Sequence, residues 1–161
     1  MRSETRVRII APLDRVFDLG AQVERWPERL PHYRYVRRIP TASGERRFAM
    51  GARRGAIPVR WEAVQRPLRG ERRIEFRHTG GVTRGMQVAW LLDESDGTTQ
   101  VTIEHELELG WPLIGGLADT VVRRGFIEPI ARRTLQAIKR LAEAETSDEA
   151  PTPALTERPA S

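Results

Sequence analysis

Three histidines, His32, His78 and His105, and two tyrosines, Tyr33 and Tyr35, are the side chains here best suited to moving protons or recognising a polar group. Imidazole titrates near neutral pH, and a phenol can donate a proton or orient a carbonyl. The histidines are far apart and lack a metal-site spacing such as H-x-x-x-H, so no metal site is expected. The absence of cysteine excludes disulfides, thiol catalysis and thiolate metal sites.

The elements that must position these groups follow from periodicity. Residues 5–10 alternate, with Val7 and Ile9 on one face and Arg6 and Arg8 on the other, as in a half-buried strand. Pro12 then suits a first helical turn, and Leu13, Val16, Phe17 and Gly20 follow at helical spacing. Trp26-Pro27 opens a short second helix that Pro31 ends. Strands are expected over 33–40, 46–54, 57–66, 72–78, 85–93 and 98–109, divided by turn signals at 41–44, 67–70, 79–81 and 95–97. Short turns between successive strands imply an antiparallel meander. Residues 110–116 (GWPLIGG) form an apolar loop, and 117–144 read as one long helix. Its apolar stripe is Phe126, Ile130, Thr134, Ala137, Ile138 and Leu141, with a kink or break at Pro129. Residues 146–161 are Pro-rich and read as a disordered tail, leaving 1–145 as one domain.

The fold class is therefore α+β. A single antiparallel sheet must bury one face against the long helix, and two short helices after the first strand close one end. Alternation selects the inward residues: Phe48 and Met50; Val59, Trp61, Ala63 and Gln65; Ile74, Phe76 and His78; Met86, Val88, Trp90 and Leu92; Val101, Ile103, His105, Leu107 and Leu109. On the 33–40 strand the odd face, with Tyr33, Tyr35, Arg37 and Ile39, is taken as inward. Large aromatics and methionines mixed with a few polar groups resemble a ligand pocket more than an aliphatic core. Each buried polar group is then either satisfied within a filled core or free to meet a ligand.

The net charge is +5, and Lys139 is the one lysine among 27 basic residues. The arginines are interleaved with Glu62, Glu75, Glu104, Glu106 and Glu108 on the outward faces. Opposite charges there stabilise one another by about 0.2–1 kcal/mol per pair without any partner. No RNP motif, recognition helix or zinc finger is present, and no nucleic-acid partner is expected. The charged N-terminus does not read as a signal peptide, and no run approaches the length of a membrane span. A cytoplasmic monomer or homodimer is expected, with transient membrane contact still compatible with it.

The opening pattern Ala11-Pro12-x-x-x-Val16-Phe17-Asp18, then Trp26-Pro27-Glu28-x-Leu30-Pro31-x-Tyr33, is similar to that of the START-like (SRPBCC) superfamily. The polyketide cyclase/dehydrase-like and coenzyme Q-binding branches look nearest, and residues 85–90, 97–105 and 126–141 extend the resemblance. It implies the helix-grip fold, a curved antiparallel sheet around a long C-terminal helix with an apolar cavity between them. It also implies a hydrophobic ligand such as a lipid, an isoprenoid quinone or a polyketide, and no cofactor. In the aromatase/cyclase branch a tyrosine after the Trp-Pro helix and a central-strand arginine are proposed to assist proton transfer. Tyr33 matches the tyrosine. The arginine position falls on Gln65, which cannot titrate, and Arg66 points to the other face.

The reading is a binder of a hydrophobic small molecule, acting as a non-catalytic carrier. The expected ligand contacts are Tyr33, Tyr35, Phe48, Met50, Trp61, Gln65, Phe76, Met86, Trp90, Phe126 and Ile130. Trp111, Leu113 and Ile114 would gate the cavity, with loop glycines supplying freedom. The alternative is a polyketide aromatase/cyclase in which His105, His78 and Tyr33 serve as acid–base groups. Sequence alone leaves open whether the chain is an enzyme.

Overall fold

The computed structural model describes residues 2–81, 83–107 and 123–148. Strand β1 (Arg2–Ile9) leads into helix α1 (Leu13–Ala21), a 3-10 turn (Val23–Arg25) and helix α2 (Trp26–Arg29). Strands β2 (Tyr33–Ile39), β3 (Arg46–Arg54), β4 (Ile57–Leu68), β5 (Arg73–Gly81), β6 (Gln87–Ser95) and β7 (Thr98–Glu106) follow. A π-helical turn (Arg123–Ile127) then runs into helix α3 (Glu128–Asp148). The seven strands form one antiparallel sheet in the order β1-β7-β6-β5-β4-β3-β2, a meander closed by β1 against the last strand.

The local chemistry explains these elements. Pro12 sits at the N-cap of α1 in an extended conformation, where its missing N–H costs nothing. Pro27 occupies the first turn of α2. Pro129 stands at the second position of α3, so the expected break is the change from π-turn to α-helix. That helix continues to Asp148, four residues beyond the end read from periodicity. The 67–70 turn also differs: β4 runs on to Leu68, and the reversal is made by the 3-10 turn Arg69–Glu71 with Arg72 left-handed at φ 53°.

The core lies between the inner sheet face, α1, α2 and α3. Phe48, Ile74, Ile103, Leu135 and Ile138 are wholly buried there. Trp26 links α2 to α1 by donating its indole N–H to the Leu19 carbonyl at 2.9 Å. On the outer face arginines pair with carboxylates: Arg47 with Glu62 at 2.7 Å, Arg66 with Glu75 at 3.2 Å and Arg77 with Glu45 at 3.7 Å. These exposed pairs each contribute at most about 1 kcal/mol.

The β2 reading needs correction. The β2–β3 register shifts between Tyr33 and Tyr35, which is a bulge. A bulge reverses the alternation beyond it. Tyr33 therefore faces inward, whereas Val36, opposite Met50, replaces Tyr35 on the inner face and packs against the core. Tyr35 turns outward over Gly51, whose missing side chain leaves room for the ring, and the Arg37 guanidinium stacks on Tyr35 at 5.0 Å. Arg37 is likewise exposed on the outer face and not on the inward one.

Candidate functional site

A cavity of about 80 Å³ lies between the inner sheet face and the start of α3. The sheet contributes Met50, Val59, Trp61, Phe76, His78, Met86, Val88, Trp90, Ile103 and His105. Trp26 and Tyr33 come from α2 and the first residue of β2. Phe126 and Ile127 from the π-turn, with Ile130, Ala131 and Thr134 from α3, complete the described wall. The π-turn thus delivers two apolar side chains to the cavity, and the Arg54 guanidinium covers the Phe126 ring at 5.8 Å.

Aromatic rings form a continuous wall. Trp90 stacks on Trp26 at 5.9 Å, Trp26 meets Tyr33 edge-on at 4.9 Å, and Tyr33 meets Trp61 edge-on at 6.0 Å. Trp61 then lies parallel to His78, with 6.0 Å between centroids and 5° between planes. Such contacts add about 0.5–1.5 kcal/mol per pair beyond the area buried and fix the shape of the wall.

The polar groups differ in how they are satisfied. His78 Nδ1 lies 2.7 Å from the Thr83 hydroxyl. His105 Nδ1 is buried with no hydrogen-bond partner among the described residues. Burial pulls His78 down to about 3, with His105 adding repulsion, and pulls His105 down to about 4 against the opposing field of Glu128. Both imidazoles are neutral at pH 7. Burial also raises the Tyr33 phenol well above its usual range, partly offset by a hydrogen bond with Thr134. No Asp, Glu, Lys or Arg lines the cavity among the described residues.

Of the residues expected to touch a ligand, Tyr33, Met50, Trp61, Phe76, Met86, Trp90, Phe126 and Ile130 stand on this wall, and so do His78 and His105. Tyr35 does not, because of the bulge. Phe48 is wholly buried in the core away from the cavity, beneath the Arg46 guanidinium at 5.5 Å. Gln65 faces inward at 2% exposure but serves the fold: its Nε2 donates to the Ala21 carbonyl at 3.0 Å, and its Oε1 accepts from Arg46 Nε at 3.1 Å. It ties the last residue of α1 to β4. Trp111, Leu113 and Ile114, with Leu109, the expected helix start at 117–122 and residues 149–161 of the expected tail, lie outside the described residues.

Sequence reasoning overlooked Trp26 as a wall residue and Thr83 and His32 as polar partners. His32 Nε2 lies 2.9 Å from the Thr134 hydroxyl, which itself donates to the Ile130 carbonyl at 2.8 Å. The Trp-Pro pair was a sufficient signal for Trp26, since a large aromatic opening a four-residue helix has to be buried against something. His32 gave no local signal, because its partner is 102 residues away.

Among the described residues no cluster of three or more His, Asp or Glu stands close enough to hold a metal ion. No described helix is long and apolar enough to cross a membrane.

Three solved structures show the same fold. An aromatase/cyclase, Zhui, from Streptomyces sp. R1128 superposes with a TM-score of 0.78 at 17% identity, over 94% of this chain and 99% of that one. A Thermus thermophilus protein gives 0.75 at 19% identity, over 91% and 99%. A START superfamily protein from Mycobacterium smegmatis gives 0.68 at 11% identity, over 89% and 98%. No curated protein matches the sequence significantly. The family model for polyketide cyclase / dehydrase and lipid transport matches residues 9–137. With its seven-stranded antiparallel sheet gripping α3 around an apolar cavity, the chain belongs to the polyketide cyclase/dehydrase and lipid transport family.

Proposed function

We propose that the chain binds a hydrophobic small molecule, of the lipid, isoprenoid quinone or polyketide class, and acts as its non-catalytic carrier. The observation that carries this reading is the character of the cavity wall. It is aromatic and aliphatic, holds no charged side chain among the described residues, and keeps its two imidazoles neutral. An imidazole held near 4 is a weak base and no acid at neutral pH, which disfavours proton transfer. The unpartnered His105 Nδ1 offers one directed hydrogen bond, enough to orient a bound hydroxyl or amide.

Burying about 300 Å² of apolar ligand surface gains roughly 7–8 kcal/mol before association costs, so shape and one hydrogen bond suffice for micromolar binding. The free space of about 80 Å³ is small. Ligand pockets commonly measure about 300–1,000 Å³, so a ligand of this class displaces part of the wall as it enters. Met50 and Met86, unbranched and adaptable, are suited to that movement. Native mass spectrometry and solvent extraction of the purified protein test the reading. A lipid-like or quinone-like molecule held and released unchanged is expected. Finding no binder across a broad panel of lipids, quinones and aromatic polyketides would sink it.

One observation favours a second reading, an aromatase/cyclase. His105, His78 and Tyr33 share one cavity, and His105 keeps a free ring nitrogen for a reacting group. The fold neighbours described as aromatase/cyclases keep the class in view. A poly-β-keto substrate cyclised equally well by wild type, His105→Ala and His78→Ala would exclude these groups as its acid and base.

A further inference from the structure

Most arginines with a defined partner sit on the outer sheet face or beside α1, each against a carboxylate. Arg46 meets Glu24, Arg47 meets Glu62, Arg66 and Arg73 meet Glu75, Arg69 meets Asp14 and Asp18, and Arg77 meets Glu45. A separate group is arranged otherwise. Arg34 on β2, Arg53 on β3, and Arg132, Arg133 and Arg140 on α3 surround a groove of about 610 Å³ beside the free edge of β2. Pro31, His32, Gly55 and Gln136 complete its lining, and no carboxylate is among the described lining residues. None of these five arginines has an ion-pair partner among the described residues.

The arrangement follows from the fold. Arg132, Gln136 and Arg140 recur every four residues, so α3 presents them as one row. Arg34 points away from the core beside His32, and Arg53 sits where β3 turns toward Gly55; the Arg53 backbone N–H donates to the His32 carbonyl at 2.7 Å. Guanidinium groups from two strands and a helix thus face one concave space. Each presents planar paired donors that match phosphate oxygens, and each is weakly hydrated for a cation. Like charges gathered without acids repel one another, and a bound polyanion would remove that repulsion. The field is felt inside the wall: Arg133 and Arg140 add to burial in holding the His32 imidazole down to about 4.

We propose that this groove is a binding site for a phosphate-class polyanion, held by Arg34 and Arg53 from the sheet edge and by Arg132 and Arg140 from α3. The phosphate is carried either by a free small molecule or by the headgroup of an anionic lipid; both supply the same chemistry. The site is distinct from the apolar cavity, and its test does not depend on what the cavity holds.

The test measures two probes against charge-matched variants. Inorganic pyrophosphate is titrated calorimetrically at low salt, and vesicles of phosphatidylcholine with or without phosphatidylglycerol are tested by flotation. Arg132→Gln/Arg140→Gln changes the groove, and Arg66→Gln/Arg77→Gln removes the same charge from the outer sheet face. The groove variant is expected to weaken binding about tenfold or more, as loss of two charge-assisted contacts implies, while the outer-face variant binds as wild type. Arg34→Gln/Arg53→Gln changes the opposite wall and repeats the test should the helix variant fold poorly. Pyrophosphate binding lost with the groove arginines assigns a free phosphate-bearing molecule. Loss confined to phosphatidylglycerol vesicles assigns a lipid headgroup. Binding of neither probe, or equal loss in groove and outer-face variants, overturns the proposal.

Discussion

His32 Nε2 and the Thr134 hydroxyl, 2.9 Å apart, join the entry of β2 to the middle of α3. Thr134 has one hydrogen, and the Ile130 carbonyl, which can only accept, takes it at 2.8 Å. His32 must then carry its proton on Nε2 and donate it to the Thr134 oxygen. One hydroxyl therefore fixes a histidine tautomer, and that imidazole packs on the tyrosine that lines the cavity.

Thr134→Val keeps the shape and removes the hydroxyl, stranding a buried imidazole N–H. A stability loss of about 1–3 kcal/mol is expected, as for unsatisfied buried donors. Tyr33→Phe removes a hydroxyl but leaves the His32–Thr134 bond in place, so it should cost less, about 1 kcal/mol. Urea unfolding of the two variants checks the order, and a Thr134→Val protein as stable as wild type contradicts the network.

The contrast between His78, held by Thr83, and His105, with no partner for Nδ1, makes a ligand prediction. Phenol and toluene have nearly the same size and differ by one hydroxyl. Wild type is expected to prefer phenol, and His105→Leu to lose that preference by about tenfold while binding toluene unchanged, the worth of one buried hydrogen bond. Calorimetry or a thermal-shift titration reads the ratio. An unchanged ratio would mean that His105 does not meet the ligand.

Acid sensitivity follows from the same histidines. Their ordinary value is about 6.5, and burial lowers His32 and His105 to about 4 and His78 to about 3. Above about pH 6.5 both folded and unfolded chains hold them neutral. As pH falls below that, the unfolded chain takes up protons that the folded chain refuses, so stability declines toward about pH 4. The groups facing them do not reverse the sign: His105 opposes charge on His78, Glu128 only partly favours His105, and Arg133 and Arg140 oppose His32. Urea midpoints should fall between about pH 7 and 5, before most carboxylates titrate, and less steeply in His105→Phe. A flat profile over that window would refute it.

The fold was legible because its signals are local. Phe48 and Met50 alternate on a strand bounded by the Gly44 turn at φ 74°, and Arg46–Arg54 is the strand observed. Pro12, Trp26-Pro27 and Pro129 mark helix starts that the structure keeps. The site was legible only where alternation held. Tyr33 and Tyr35 satisfy the period of two as letters, and only the β3 partner reveals the bulge; Gly51, the gap that Tyr35 fills, was its one trace. Gln65 was placed on the correct face, but its role depends on the Ala21 carbonyl, 44 residues away. Long-range polar pairing leaves no periodic mark.

Those two residues therefore separate structure from binding. Tyr35→Ala uncovers Gly51 and removes the Arg37 stack, and Gln65→Leu leaves the Ala21 carbonyl and Arg46 without their buried partner. Each is expected to lower stability by about 1–3 kcal/mol while the ligand preference of the folded protein stays that of wild type. Affinity measured well below the melting transition decides it. A specific loss of affinity in Tyr35→Ala would put that ring back at the cavity.

Met86→Ala tests whether the cavity limits the ligand. Met86 is 3% exposed and stands on the wall beside His78, whose backbone N–H bonds the Met86 carbonyl at 2.8 Å. Truncation enlarges a space of about 80 Å³ and costs roughly 2–5 kcal/mol, because the surrounding sheet relaxes only in part. A ligand that must displace the wall gains what the empty variant lost, since displacement is then no longer required. Large ligands such as a short-chain ubiquinone are expected to bind the variant more tightly and raise its melting temperature more than that of wild type. Toluene, which asks less of the wall, should gain little. Equal shifts for both ligands in both proteins would show that the wall already opens without cost, and would place the size limit elsewhere.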